Sequence, residues 1–382
     1  MAVASLDELV EKLAHILGDY RKRQSHWVTP QRVSRWIDQF SPADRLTIMT
    51  EMVAVFGRLY MSYNRSQSAL KKYLSKLILE RANGDVRRFL FETYFLETQT
   101  DPDDGCSQSE MIDLANEVLR RDGYYPVKTI RRGLHDRRAR QYVYLDDALY
   151  SGTKLINDLV SPERGWITSY NGPPTTLYIY TLIGYTAGQQ HVLDHIVPIA
   201  SSKGIAIQLD CARKLVNNRQ SVHRFDCLWP HCDYDSLSAR QYAETLRAER
   251  RRQEPLAYDD GIYRPYDPLP RETLFSSPEA RRVVERAFLL RGLELRQRTQ
   301  YTWIRPLGFD KSATLGFGTL AIPYRNCPNN APLVLWWSAG GWQPLLHRYD
   351  PGRQWRYAQQ QYTAWTYTAD GRLNDTLDDV PF

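Results

Sequence analysis

The sequence lacks the features that mark membrane, secreted and disordered proteins. Its longest stretch without a charged residue runs from Gly165 to Leu193 and contains Asn171 and two prolines, so it does not fit a membrane span. Five scattered cysteines do not form the even-numbered pattern of a disulfide framework. The start, MAVASLDELVEKL, favours an acidic amphipathic helix over a signal peptide. These absences predict a reduced, cytoplasmic protein with no membrane partner.

What is present is ordinary for a folded chain. Among 382 residues, 42% are hydrophobic and 25% are charged, and we find no low-complexity segment or repeat of fixed period. A chain of this length can bury a sizeable core. The net charge of +6 is mild, and arginine outnumbers lysine. That bias fits either phosphate-rich ligands, which arginine binds in a bidentate manner, or codon usage.

Residues 1–84 predict a helical module. Apolar residues from Leu6 to Leu17 recur at helical spacing, and a further helix is predicted through Leu70 and Ile78. Thr29-Pro30 and Ser41-Pro42 are helix-start signals, a capping residue followed by proline. Four helices with short joints predict a small bundle or a helix-turn-helix-like module, either of which would suit an adaptor or docking role.

Residues 85–300 predict an α/β domain. Apolar strands are predicted at 86–96, 142–145, 177–184 and 205–209, with helices between them and another helix at 278–298. Such alternation is typical of a parallel sheet covered by helices on both faces. Residues 301–382 form an aromatic-rich extension, expected to pack on the α/β domain, with short strands at 333–337 and 362–368.

One segment carries the strongest chemical signal, YVYLDDALYSGTK at Tyr142–Lys154. A buried strand ends in Asp146 and Asp147, and a small-residue turn leads into a helix N-terminus. Backbone amides there, with the hydroxyls of Ser151 and Thr153 and the glycine between them, would form an anion cradle. The paired acids could accept hydrogen bonds from a diol, or hold Mg²⁺ directly or through water. A ribose 5-phosphate has that chemistry; the alternative is an ordinary surface turn.

This segment resembles the signature of type I phosphoribosyltransferases, which bind phosphoribosyl diphosphate (PRPP). The resemblance implies that Asp146 and Asp147 contact the ribose hydroxyls, and that Ser151, Gly152, Thr153 and Lys154 hold the 5-phosphate. Two positions depart from the pattern. Tyr150 stands where many members have an acid or a small residue in contact with the base, and Lys154 replaces a small or hydroxylic residue. Both departures put conventional nucleobase salvage in doubt.

Further motifs narrow the resemblance. The helical N-terminus, GCSQSEM at 105–111, LGFGT at 315–319, RNCPNN at 325–330 and LWW at 335–337 are together similar to a bacterial phosphoribosyltransferase-like group of conflict systems, including effectors of some retrons. The similarity covers about residues 28–350. It implies a type I phosphoribosyltransferase-like sheet and a toxin that depletes or modifies nucleotides or nucleic acid on phage infection. It also implies a reverse transcriptase with its RNA–DNA product as a partner of the N-terminal helices.

Two more groups of candidate binding residues lie outside that segment. Ser107 and Gln108 fall where the resemblance places a pyrophosphate-binding loop, and the alternative is a capping serine followed by a normal helix. Arg325, Asn329 and Asn330 could line a polar pocket for a base or nucleotide, and the alternative is a Pro-Asn-Asn turn.

Three other features have structural explanations that we favour. Tryptophans at 336, 337 and 342 could stack on a base, but the apolar alternation around them favours core. The histidines and cysteines between 223 and 232 do not have the spacing of a compact zinc site. The arginine-rich run at 247–252 could touch nucleic acid, but interspersed glutamates favour a solvated helix face.

The sequence leaves two functional hypotheses. One is a phosphoribosyltransferase-like enzyme that binds PRPP, or a nucleotide carrying ribose 5-phosphate, with Mg²⁺ and acts at the anomeric carbon. The other is a non-catalytic sensor or partner-binding module that keeps the PRPP pocket. Tyr150, in place of an acid, favours the sensor, whereas the Asp146–Asp147 pair favours the enzyme. Whether the protein forms a homo-oligomer stays open.

Overall fold

A computed structural model describes residues 4–21, 28–98, 107–124, 126–131, 136, 138–163, 165–219, 223–253, 261–299, 301 and 304–348. Its strands are β1 (Thr93–Glu97), β2 (Lys128–Arg131), β3 (Gln141–Leu149), β4 (Thr175–Tyr185) and β5 (Ile205–Leu215). Its helices are α1 (Leu6–Ile16), α2 (Pro30–Ile37), α3 (Pro42–Leu59), α4 (Tyr63–Arg81), α5 (Val86–Phe91), α6 (Ser107–Arg121), α7 (Thr153–Val160), α8 (Trp166–Ser169), α9 (Thr186–Ser202), α10 (Leu237–Gln253), α11 (Pro278–Gln297) and α12 (Leu333–Trp336). None of these helices combines the length and the apolar character that crossing a membrane requires.

The helices predicted in the first 84 residues are present as α1–α4, and α2 and α3 begin at the expected Thr29-Pro30 and Ser41-Pro42. Ser5 and Glu8 form a reciprocal capping box at the start of α1. The Thr29 side chain accepts a hydrogen bond from the Arg32 amide, and Pro30 occupies the first turn of α2. Each cap satisfies amides that have no partner within the helix.

The strand predicted at 86–96 is partly wrong, because its first half is helix α5. Asp85 caps that helix by accepting a hydrogen bond from the Arg88 amide at 2.9 Å. A short apolar run such as Val86–Phe91 fits a buried strand or a buried helix equally well, so periodicity alone did not distinguish the two. Strand β1 begins only at Thr93.

The sheet confirms the predicted α/β fold. Its five strands are all parallel, in the order β2–β1–β3–β4–β5. The chain leaves β1 to form β2 on one side and returns to form β3 on the other. The strand order therefore reverses between β1 and β3, and in open α/β sheets the crevice beyond the carboxyl ends of such strands is where ligands bind.

Both faces of the sheet are covered, as the continuous apolar strands predict. Tyr142 and Tyr144 of β3 face one core with residues of α7, α8 and α9. Their neighbours Val143 and Leu145 face a second, larger core that includes residues of α4 and α6. The alternation along β3 thus fixes which side chains reach each layer.

The larger core also joins the N-terminal helices to the chain beyond residue 304. The Trp36 indole Nε1 donates to the Val334 carbonyl at 2.9 Å, and the Tyr20 hydroxyl donates to the His347 carbonyl at 2.7 Å. The Met61 amide donates to the Ile322 carbonyl at 2.9 Å. The described residues before Arg348 form one compact unit. The division at 84 and 300 stays a prediction about how the segments fold separately.

The strand predicted at 333–337 is wrong, because Leu333–Trp336 form one helical turn, α12. All three tryptophans of this region are buried, which confirms the core interpretation. The indoles of Trp336 and Trp342 donate to the carbonyls of Ala331 and Val334 at 2.8 and 3.1 Å. These contacts hold a compact loop rather than an extended strand. The strand predicted at 362–368 lies outside the described residues.

Candidate active site

The paired aspartates lie at the carboxyl end of β3, beside the end of β1, where the strand order reverses. Strand β3 is longer than predicted and continues through both acids to Leu149. Helix α7 then begins after Gly152. Helix α6, which follows β1, brings Ser107 to the same edge, since its hydroxyl lies 2.7 Å from the Lys154 Nζ.

Asp146 is buried, and each of its carboxylate oxygens has a partner within the protein. Its side chain accepts a hydrogen bond from the Asp147 amide at 2.8 Å through Oδ1, and its Oδ2 lies 3.2 Å from the Lys154 Nζ. The Tyr144 hydroxyl lies 3.5 Å from the same oxygen. Burial alone would raise the pKa of Asp146, but Lys154, Ser107 and the Asp147 amide together hold that pKa below its ordinary value. Asp146 is therefore a carboxylate at neutral pH.

Asp147 pairs with Arg325, which the chain brings from 178 residues away. Arg325 Nε and one terminal nitrogen both lie 3.1 Å from Asp147 Oδ2, and Glu110 lies 4.0 Å from the guanidinium. Burial raises the pKa of Asp147, and the charge of Asp146 adds to that effect, although Arg325 opposes it. The two neighbouring acids thus have pKa values shifted in opposite directions, a pattern common at functional sites.

The turn between β3 and α7 packs so tightly that glycine is required. Gly152 has φ +80°, and a Cβ there would lie 2.5 Å from the Val192 side chain and 2.8 Å from the Gly188 carbonyl. A Cβ on Gly188 would in turn lie 2.0 Å from the Tyr150 carbonyl. The turn is therefore held against the first turn of α9. Its position leaves the amides of Thr153 and the following residues at the open end of α7, the arrangement that binds anions.

Lys154 ties the two elements of the site together. Besides Asp146, its Nζ donates to the Ser107 hydroxyl at 2.7 Å, which links α7 to α6. Burial opposes the charged amine, but Asp146 and Asp147 raise the pKa of Lys154 above its ordinary value. Gln108, predicted beside Ser107, accepts a hydrogen bond from the Thr98 amide at 2.6 Å and so braces the end of β1.

The surroundings of Tyr150 do not suit a role in proton transfer. Its hydroxyl donates to the Ala321 carbonyl at 3.1 Å, and its ring packs near Tyr185 and Phe317. Burial, with the charge of Asp147, raises the pKa of Tyr150 well above its ordinary value. The phenol is thus neutral and held by the chain segment that follows residue 304.

The predicted polar pocket is only partly assembled. Arg325 joins the aspartates, as described above. Asn330 is buried and its amide donates to the Phe309 carbonyl at 2.8 Å, while the Asn329 carbonyl accepts from the Phe309 amide at 2.7 Å. These contacts fit the turn alternative, and a binding role for the two asparagines stays a prediction.

A comparison with known protein families shows which family the chain belongs to. The model of the PRTase-CE family matches residues 33–348, most of the chain. The chain belongs to the PRTase-CE family. It is accordingly a phosphoribosyltransferase-like effector, and its parallel sheet agrees with that fold. No curated protein and no solved structure matches the chain.

Some site residues of this PRTase-CE protein escaped the sequence reasoning. Asp158 accepts a hydrogen bond from the Tyr144 hydroxyl at 2.8 Å, directly behind Asp146. Asp158 lies four residues after Lys154 on the same helix, and this spacing could have placed it near the site. Glu110 lies three residues after Ser107 on α6 and faces Arg325. Nothing local in the sequence pairs that glutamate with an arginine 215 positions later.

Asp146 does not fit as a direct ligand of magnesium. Both oxygens of Asp146 lie within hydrogen-bonding distance of other groups, and Arg325 holds Asp147 Oδ2. Within the described part of the chain, no group of three or more histidine, cysteine, aspartate or glutamate residues is arranged to hold a metal. The histidines and cysteines between 223 and 232 are among the described residues and form no such group. One of them, Cys227, is buried, and burial raises the pKa of its thiol.

Proposed function

We propose that this protein binds PRPP, or a nucleotide carrying ribose 5-phosphate, beyond the carboxyl end of β3. We further propose that it acts at the anomeric carbon as a toxin of a bacterial anti-phage system of the retron type, in the cytoplasm. The observation that carries the proposal is the placement of Asp146 and Asp147 beside the open N-terminus of α7. That edge of the sheet offers hydrogen-bond acceptors for a diol and donors for a phosphate in adjacent positions.

Each group has a distinct role in this proposal. The backbone of Ser151–Thr153 binds the 5-phosphate, and the aspartates accept hydrogen bonds from the ribose hydroxyls. When the bond between the anomeric carbon and diphosphate breaks, the electron pair leaves with the diphosphate and positive charge develops on the sugar. Water, in hydrolysis, or an acceptor group, in transfer, then forms the new bond to that carbon and loses a proton. Lys154 and Arg325 are the cations placed to stabilise the leaving diphosphate, and preorganised charge of this kind lowers the barrier.

Magnesium belongs to the proposal only as a companion of the diphosphate. Because Asp146 lies beside Lys154 and Asp147 beside Arg325, the proposal places no metal on the carboxylates. Calorimetric titration with PRPP, with and without Mg²⁺, measures how much affinity the metal adds.

The decisive test compares ligand binding by the wild type and by Asp146→Asn/Asp147→Asn. We expect saturable PRPP binding in the wild type and its loss in the double variant. Asp194→Asn, on the exposed face of α9, removes an acid elsewhere and should bind as the wild type does. Equal binding by the wild type and the double variant would refute the proposed site.

A sensor without catalysis is the second candidate, favoured by the way Tyr150 is held. Its hydroxyl is engaged by the Ala321 carbonyl, so it does not supply the missing acid. Release of diphosphate from PRPP by the purified protein separates the two candidates. An enzyme releases diphosphate from PRPP, whereas a sensor binds PRPP without turnover.

The N-terminal helices are proposed to dock a reverse transcriptase with its RNA–DNA product. Leu79 of α4 is 85% exposed, so its apolar side chain is available to a partner on this face. Co-purification of the reverse transcriptase with the wild type, and its loss in Leu79→Lys, would support docking on this face. Retention of the partner by Leu79→Lys would exclude this part of the surface.

A further inference from the structure

A basic groove lies apart from the candidate active site, between the N-terminal helices and the edge of the sheet. It encloses about 640 Å³. The end of α3, the start of α4 and the outer strand β5 form its walls. Its lining residues are Gly57, Arg58, Met61, Asn64, Arg65, Ser68, Ala69, Ala212 and Arg213.

The charge of this groove is of one sign. Among the described residues that line it, three are arginines and none is an aspartate or glutamate. Partial burial by the groove lowers the pKa of Arg213, and the nearby charges of Arg65 and Arg58 lower it further, as expected where cations lie close together. Gathering like charges costs free energy unless an anion joins them.

Two of the arginines are fixed in place by the backbone. Arg58 donates to the Thr273 carbonyl at 2.8 Å and also to the Leu274 carbonyl. Arg65 donates to the carbonyls of Tyr60 and Gly57 at 3.0 and 2.8 Å, at the end of α3. Carbonyl partners orient a guanidinium but leave its positive charge uncancelled. Both side chains are therefore held beside the groove, with charge left to attract an anion.

Arg213 is the third arginine of the groove and lies on the wall opposite Arg58 and Arg65. It lies on β5, the outermost strand of the sheet, and is exposed. Within the described ranges, its side chain forms no ion pair or hydrogen bond with another residue. The polar side chains of Asn64 and Ser68, also exposed, add hydrogen-bond donors along the same groove.

We infer that this groove binds the phosphates of a nucleic-acid backbone. Arginine forks match phosphate oxygens, and hydroxyl and amide side chains commonly join them in backbone contacts. The lining residues that the structure describes include no aromatic side chain for a base to stack on, so we expect the contact to be insensitive to sequence.

The test measures binding of a labelled single-stranded oligothymidylate by fluorescence anisotropy over a range of salt concentrations. We expect Arg213→Gln to weaken binding at low salt by about three- to tenfold and to reduce the salt dependence by about 0.7 in log–log slope, the value of one phosphate contact. Arg213→Lys keeps the charge and should keep the slope. Thermal unfolding of Arg213→Gln should match the wild type, because its side chain anchors no other element.

A matched control removes the same charge elsewhere. Arg87, Arg120 and Arg140 are exposed and lie outside the groove. The variant Arg87→Gln/Arg120→Gln/Arg140→Gln should bind the oligonucleotide with a slope closer to the wild type than that of Arg58→Gln/Arg65→Gln/Arg213→Gln. If removing Arg58 and Arg65 unfolds the chain, Arg213→Gln alone decides.

Three outcomes would overturn the inference. The first is no oligonucleotide binding by the wild type at low salt. The second is equal affinity and slope in Arg213→Gln and the wild type. The third is inorganic phosphate that binds in an Arg213-dependent way and displaces the oligonucleotide at matched ionic strength, which would make the groove a site for small anions. None of these results depends on whether PRPP binds beyond β3.

Discussion

Asp146 and Lys154 form an unequal pair, because the carboxylate is buried whereas 55% of the lysine side chain is exposed. Lys154→Met would leave a buried charge without its cation, and we expect it to cost about 2 kcal/mol, less than a fully buried pair would. Asp146→Asn leaves only an amine that can turn to water, and should cost less than about 1 kcal/mol. Urea unfolding at neutral pH measures both.

The order of these two effects is the informative result. Asp146 has a lowered pKa in the folded protein, so its stabilising contribution is present above the ordinary aspartate value of 3.8 and is lost as the pH falls. The destabilisation by Lys154→Met should therefore fade in acid. A larger cost for Asp146→Asn than for Lys154→Met would contradict the assignment of the lysine as the partner of a buried carboxylate.

Asp147 should give the opposite pH dependence. Its folded pKa is raised, so the folded state keeps a proton that the unfolded chain releases as the pH rises above the ordinary aspartate value of 3.8. The stability advantage of the wild type over Asp147→Asn should consequently shrink as the pH rises through the raised pKa. Unfolding curves between pH about 4 and about 8 measure it. An advantage that grows over this range would be inconsistent with a raised pKa.

For single residues, the sequence predicted only one of the two partners in most contacts of the site. The segment from Asp146 to Lys154 is continuous in sequence, and its residue types predicted a strand end, a tight turn and a helix start. The partner of Asp147 was predicted only as a member of a pocket, since Arg325 is distant in sequence and its pairing depends on how the last segment folds back. Tyr144 and Asp158 were missed because each fits an ordinary core or helix position.

At the scale of helices and strands, the turn after β3 and the start of α9 pack so closely that an added methyl group has no room. Gly188→Ala would place a Cβ 2.0 Å from the Tyr150 carbonyl, and backbone cannot yield as a side chain can. We expect a loss of about 1–3 kcal/mol of stability and weaker PRPP binding, because the turn must move. Chemical denaturation and calorimetry check the two effects.

Gly57→Ala provides the matched control, since the nearest atom to its new Cβ is 3.9 Å away, on the Ile16 side chain. Gly57 lies inside α3, where alanine favours the helix by up to about 1 kcal/mol. This substitution should leave stability unchanged or raise it. If Gly188→Ala proved equally harmless, the turn would not be held by α9 in the way the geometry indicates.

The elements themselves were largely predictable, and the errors have one cause. Long segments with clear periodicity or caps, such as α1 and α11, were predicted correctly. The two wrong strands, at 86–91 and 333–336, are short apolar runs whose helical form is decided by what surrounds them. Val86–Phe91 is capped by Asp85, and Leu333–Trp336 curls because its indoles reach carbonyls nearby in the chain.

For the whole molecule, the decisive feature is that the first helices and the segment after residue 304 share a core. Trp36 stacks edge-on against Phe40, which also packs on Phe288 of α11 and on Trp342. Trp36→Ala should cost about 3–5 kcal/mol, since it removes a fully buried indole and a hydrogen bond to the Val334 carbonyl. Leu79→Ala, on the exposed face of α4, should stay within about 0.5 kcal/mol of the wild type.

This shared core also predicts that the described unit unfolds in one step. In Trp36→Ala, unfolding followed by far-ultraviolet circular dichroism and by tryptophan fluorescence should shift together, because helices and aromatic core are lost at once. Two separated transitions would show that the helices fold apart from the sheet. Deleting residues 1–84 would expose apolar residues of the remaining core, so the truncated chain should be unfolded or aggregated. A docking role for these helices must therefore be tested by substitutions on their exposed faces, in a protein that keeps its core.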